Sequence, residues 1–75
     1  MSDKRKEDNI KPILSLIIPV YNEKDSILEL LDDIQISIKI PISVEIIYDH
    51  DSDNTIPVVK KVINNFKFKI NLIKN

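Results

Sequence analysis

The 75-residue sequence contains no glycine and no cysteine. Average usage of about 7% would place roughly five glycines in this length. Without glycine, neither G-x-G-x-x-G nor a P-loop can be built, and both common phosphate cradles are excluded. Without cysteine, a disulfide framework and a thiolate metal site are excluded as well. No apolar run approaches the ~20 residues that span a bilayer. The polar N-terminus lacks the apolar core of a signal peptide, so the expected localisation is cytoplasmic. The formal net charge is −1, so no global field draws the chain to nucleic acid or to an anionic membrane.

What is present is globular in kind. The apolar share of 43% supports a core. At this length the chain holds one small domain, which buries only about 60% of its unfolded surface. Residues 1–11 are polar with charges of both signs and read as a disordered tail. Residues 12–75 read as the structured part.

The stretch Leu14-Ser15-Leu16-Ile17-Ile18-Pro19-Val20-Tyr21-Asn22-Glu23 organises the rest. Its apolar run predicts a strand over 13–20, buried on both faces as in parallel sheets. Pro19 has no N–H and marks the end of that ladder. Asn22 is a good N-cap, with Asp25 three residues on as a shortened capping box. A helix is predicted over 24–37. Ile27, Leu30, Leu31, Ile34 and Ile38 form one stripe of helical period, with Glu29, Asp32, Asp33 and Gln35 on the wet side. Pro41 closes the unit.

A second strand is predicted over 43–48, running straight into Asp49-His50-Asp51-Ser52-Asp53-Asn54-Thr55. Asp53 or Thr55 can cap the next helix, with Pro57 tolerated in its first turn. That helix is expected to reach about Phe66, with Val59, Val62, Ile63 and Phe66 on one face. Phe68, Ile70, Leu72 and Ile73 predict a third strand. The fold class is therefore α/β, a β-α-β-α-β parallel sheet with right-handed crossovers. Three strands and two helices leave one face or edge poorly covered, so the chain is expected to be the first part of a larger α/β domain.

In open parallel sheets, ligands sit at the carboxyl ends of the strands. Here two loops meet at that edge and bring together Pro19, Tyr21, Glu23, Asp49, Asp51 and Asp53. A tyrosine face can stack on a flat heterocycle, and a carboxylate can accept from a ring N–H or ribose hydroxyls. The plainer alternatives are that Tyr21 packs under the first helix and that the aspartates serve turns and caps, Asp53 above all. Asp49, Asp51 and Asp53 match positions one, three and five of a calcium loop. Position six is Asn54 instead of glycine, and position twelve is Lys60 instead of glutamate, which argues against that reading. His50, the lone histidine, has no serine or cysteine partner and reads as a loop histidine. Lys60 and Lys61 read as a solvated helix face.

The segment L-S-L-I-I-P-V-Y-N-E, the Leu-rich helix after it, and Glu45-Ile46-Ile47 leading into 49–55 resemble the opening of inverting family-two glycosyltransferases of GT-A fold, similar to dolichol-phosphate mannose synthase. The resemblance covers 13–73, the start of the family's catalytic domain. It implies that Pro19 and Tyr21 line the base of a nucleoside-diphosphate sugar, with Glu23 near the nucleotide. The family's second motif reads D-D-G-S-x-D-x-T. Aligned on Asp53 and Thr55, Asp49 falls on the aspartate that contacts the base. Tyr48 then replaces the first aspartate, His50 the glycine and Asp51 the serine. A gapped register moves the base contact to Asp51.

The resemblance further implies a hexosyltransferase that uses a divalent cation, Mg²⁺ or Mn²⁺, with its metal ligands and catalytic base beyond this chain. No catalytic or metal-binding residue is assigned here. The acceptor would be a lipid phosphate or a saccharide, and the whole protein is expected in the cytoplasm or, with a lipid acceptor, at the inner face of the membrane. Two other readings stand beside it. One is a non-catalytic nucleotide-binding or interaction module. The other is a flavodoxin-like protein whose acids hold Mg²⁺.

Overall fold

A computed structural model describes residues 11–75; all of the expected tail but Lys11 lies outside them. The elements follow in the order β1 (Leu14–Pro19), α1 (Ile27–Ser37), β2 (Ile42–Tyr48), α2 (Thr55–Val62), a 3₁₀ turn (Ile63–Asn65) and β3 (Lys69–Lys74). The strands form one parallel sheet in the order β1-β2-β3. The expected α/β architecture, a Rossmann-like β-α-β-α-β unit, is the one observed.

The sheet has one covered face. Leu16, Val44 and Ile70 lie in register across it, as do Ile18, Ile46 and Leu72. These residues belong to the core that Ile27, Leu31 and Ile34 of α1 and Ile56 and Val59 of α2 complete. Leu31, Val44, Ile46 and Val59 are fully buried, each contributing about 1.5–3 kcal/mol relative to exposure.

The alternate positions form the other face, and it is open. Ile17 is 67% exposed and Ile73 42%. The expectation that β1 is buried on both faces is therefore corrected. Both helices lie on one side, so every second residue of the apolar run meets solvent. Across the centre of that face the Ser15 and Ser43 hydroxyls share a hydrogen bond of 3.0 Å. Ser43 Oγ donates to Glu45 Oε2 at 2.9 Å, and Asn71 Nδ2 donates to Glu45 Oε1 at 3.0 Å. Pro19 ends β1, which pairs only with β2, an edge position where proline is tolerated.

Both helices depart from expectation at their ends. Residues 24–26 form a turn closed by Ser26 and Ile27 N–H on the Glu23 carbonyl at 3.1 and 2.9 Å, and α1 starts at Ile27. Asn22 is not its N-cap. Asn22 has φ 52°, a left-handed conformation that asparagine tolerates better than most residues. Leu30 is largely exposed while Leu28 packs on the core, a rotation of the expected stripe. Gln35 is half-buried instead of wet, because its Oε1 accepts the Lys67 N–H. The second helix tightens to 3₁₀ after Val62 and does not reach Phe66 as α-helix. Lys60 and Lys61 are exposed in its last turn, where their charge suits the helix dipole.

Candidate functional site

Adjacent parallel strands carry the 20–26 and 49–54 loops to the same edge, and the two loops lock together. Val20 N–H continues the ladder to the Ile47 carbonyl at 2.9 Å. Asn22 N–H then donates to Asp53 Oδ2 (3.2 Å), Glu23 N–H to Thr55 Oγ1 (2.7 Å), and Lys24 N–H to Asn54 Oδ1 (3.1 Å). In return Asn54 N–H donates to Asn22 Oδ1 at 3.0 Å. All four bonds join a backbone N–H to a side-chain oxygen. Polar loop side chains thereby stand in for the strand pairing that Pro19 ends.

Asp53 is the centre of this lock. It is 3% exposed, and its Oδ1 accepts the Thr55 N–H at 2.8 Å while Oδ2 faces Asn22. Asn54, not Asp53, holds the N-cap position of α2 and makes no side-chain cap bond; Asp53, one residue earlier, accepts the first helical N–H and reaches across to the first loop. Burial pushes its carboxyl up. The hydrogen bonds from the Thr55 side chain and N–H and from Asn22 N–H, with the charge of His50, outweigh burial and hold it below its ordinary 3.8. Thr55 is fully buried as the acceptor for Glu23. Replacing Thr55→Val keeps its shape and removes that acceptor. Urea unfolding is expected to show a loss of about 1–2 kcal/mol, with the slope of the transition unchanged.

The lock leaves Tyr21 outside. The residue is 66% exposed and does not pack under α1. His50 from the second loop stands edge-on to it, ring centroids 6.3 Å apart at 70°. One face edge is thus set by a second aromatic ring. Pro19 is exposed at the end of β1 beside this platform.

The acids separate instead of converging. Asp49 Oδ1 accepts from Asn75 Nδ2 at 3.1 Å, and Asp51 pairs with Lys74 Nζ at 3.0 Å. Glu23 Oε1 accepts the Ser26 hydroxyl at 3.3 Å. Among the described residues, no group of three or more acids or histidines is placed to hold a metal ion. The calcium-loop spacing therefore has no geometry behind it: Asp53 turns inward while Asp49 and Asp51 turn toward the end of β3. No helix among the described residues is long and apolar enough to cross a membrane.

Asn22, Asn54 and Thr55 hold the site together and were not singled out as a unit from sequence. The density of Asn, Asp and Thr in both loops was the available signal. In comparisons with protein-family models, curated proteins and solved structures, the chain matches none of them.

Proposed function

We propose that the carboxyl edge binds the nucleoside of a nucleoside-diphosphate sugar, and that the chain is the donor-binding opening of an inverting family-two glycosyltransferase. The observation that carries this reading is Tyr21: a largely exposed ring on a loop fixed by four side-chain bonds. A base stacks on its face, with Pro19 at its side. Asp49 accepts from the base N–H groups, exchanging its bond to Asn75 for one to the ligand. Asp51 occupies the neighbouring position, and releasing Lys74 frees that lysine for the diphosphate. Glu23 accepts from the ribose hydroxyls. The absence of glycine fits a site that holds base and ribose and leaves the phosphates to other groups.

The family resemblance places the ligands of its divalent cation beyond this chain, and among the described residues no three acids or histidines are grouped to hold one. Base and ribose binding therefore needs no metal here. Titration of the chain with UDP and GDP by calorimetry tests the reading. It predicts saturable binding to one of them, unchanged by Mg²⁺ or by EDTA. Binding to neither, or binding only with metal, overturns it.

With no catalytic base or metal ligand assigned, the chain by itself is expected to transfer no sugar. Incubation with a radiolabelled nucleotide sugar and a lipid-phosphate or saccharide acceptor measures this directly. Labelled product would contradict the division of labour drawn here.

A further inference from the structure

A concavity lies at the opposite, amino edge of the sheet. It is an open groove of about 950 Å³. Ligand pockets typically run from about 300 to 1,000 Å³, so the space is sufficient for inserted side chains. Buried Ile42 and Phe68 line it with the half-buried Ile38 and Phe66, and Ile40 stands 48% exposed at its rim. Phe66 and Phe68 stack at 5.3 Å and 19°, which makes one wall flat and aromatic. Two bonds brace the groove. Ile13 N–H donates to the Pro41 carbonyl at 2.8 Å, and Lys67 N–H to Gln35 Oε1 at 2.6 Å.

The charge around it has one sign. Lys11, Lys39, Lys67 and Lys69, from three separate segments, line the groove, and among the described residues no acid lines it. At the carboxyl edge Glu23, Asp25, Asp49 and Asp51 outnumber Lys24 and Lys74. A chain of net charge −1 thus has a basic apolar end and an acidic polar end.

We propose that the amino-edge groove docks an acidic peptide segment, which places an apolar side chain against Phe66 and Ile40 and its carboxylates on the surrounding lysines. Charge complementarity selects the peptide's acids, and the acidic far edge repels the same segment, which fixes where it lands. The concavity favours a peptide over a bilayer, since a flat lipid surface meets protruding side chains and cannot fill a recess. The groove is remote from the Tyr21 loops, so this inference stands or falls independently of nucleotide binding.

The test uses a fluorescein-labelled peptide of Glu and Asp around one Phe-Leu pair, titrated with the full chain by fluorescence anisotropy. Saturable binding is expected, weakening as salt rises. Each single substitution Lys39→Glu, Lys67→Glu or Lys69→Glu should weaken it about two- to tenfold, and the triple variant should abolish it. These lysines are exposed, so the variants keep the fold, which circular dichroism checks. Ile40→Asp should weaken binding as well, and UDP should not compete. No saturable binding overturns the proposal, as does unchanged binding by the triple variant. So does recruitment of the chain to phosphatidylcholine vesicles containing phosphatidylserine when the peptide is not bound.

Discussion

Asp53→Ala is expected to destabilise the protein by about 3 kcal/mol, because two backbone N–H groups lose their shared acceptor. A domain of this length has a total stability of roughly 5 kcal/mol. The midpoint of thermal unfolding should therefore fall by roughly 15 °C, and part of the population should be unfolded at 37 °C. Asp53→Asn should cost less, since one oxygen remains to accept. The acid limb of the stability curve gives a second readout. The folded-state pKa of Asp53 lies below its ordinary 3.8. Its contribution is therefore complete above that ordinary value and is lost as pH falls through the folded-state value. The gap between wild type and Asp53→Asn should accordingly close as the medium is acidified. A gap that stays constant with pH would mean the carboxylate charge is not what the lock uses.

Tyr21→Ala should weaken UDP or GDP binding by about tenfold or more, the usual worth of an aromatic stack under a base. The same variant should unfold at the wild-type midpoint, because Tyr21 is 66% exposed and supports no core. Tyr21→Phe should retain most of the affinity, since the face of the ring does the stacking. This split between affinity and stability is the reverse of that expected at Asp53. Equal loss of both in Tyr21→Ala would make the ring a structural element. Calorimetry paired with thermal unfolding measures both quantities on one sample.

Both residues are legible in the sequence, for different reasons. Tyr21 stands in a polar loop just past a strand-ending proline, which marked it as a candidate but left packing under the first helix open; its 66% exposure decides against packing. Asp53 was readable as a local turn acceptor, because Asx clusters before a helix bond nearby N–H groups, although the N-cap position itself falls to Asn54. Its reach to Asn22 was not readable, since that partner lies 31 residues away. The same non-local contact explains why the capping box misled. Asn22 has the right chemistry for a cap, but its Oδ1 is taken by Asn54 N–H. The strand and helix order followed from the change of apolar period, and β2 bears it out with Val44 and Ile46 fully buried. Only β1 broke the rule that an unbroken apolar run is buried on both faces. Ile17 points to the side without helices, which no local pattern distinguishes from the side with them. The amino-edge groove was invisible for a similar reason. Its lysines are scattered over 11–69 and meet only once the strands are aligned.

The most direct test of the account is a ¹⁵N-¹H correlation spectrum of the chain during titration with UDP and with GDP. The account predicts that one nucleotide shifts the amides of 20–24 and 49–55, together with Asn75 as its side chain releases Asp49. The amides around Ile40, Phe66 and Phe68 should stay in place. Shifts confined to the amino-edge groove, or no shifts with either nucleotide, would contradict the assignment of the carboxyl edge as the nucleoside site.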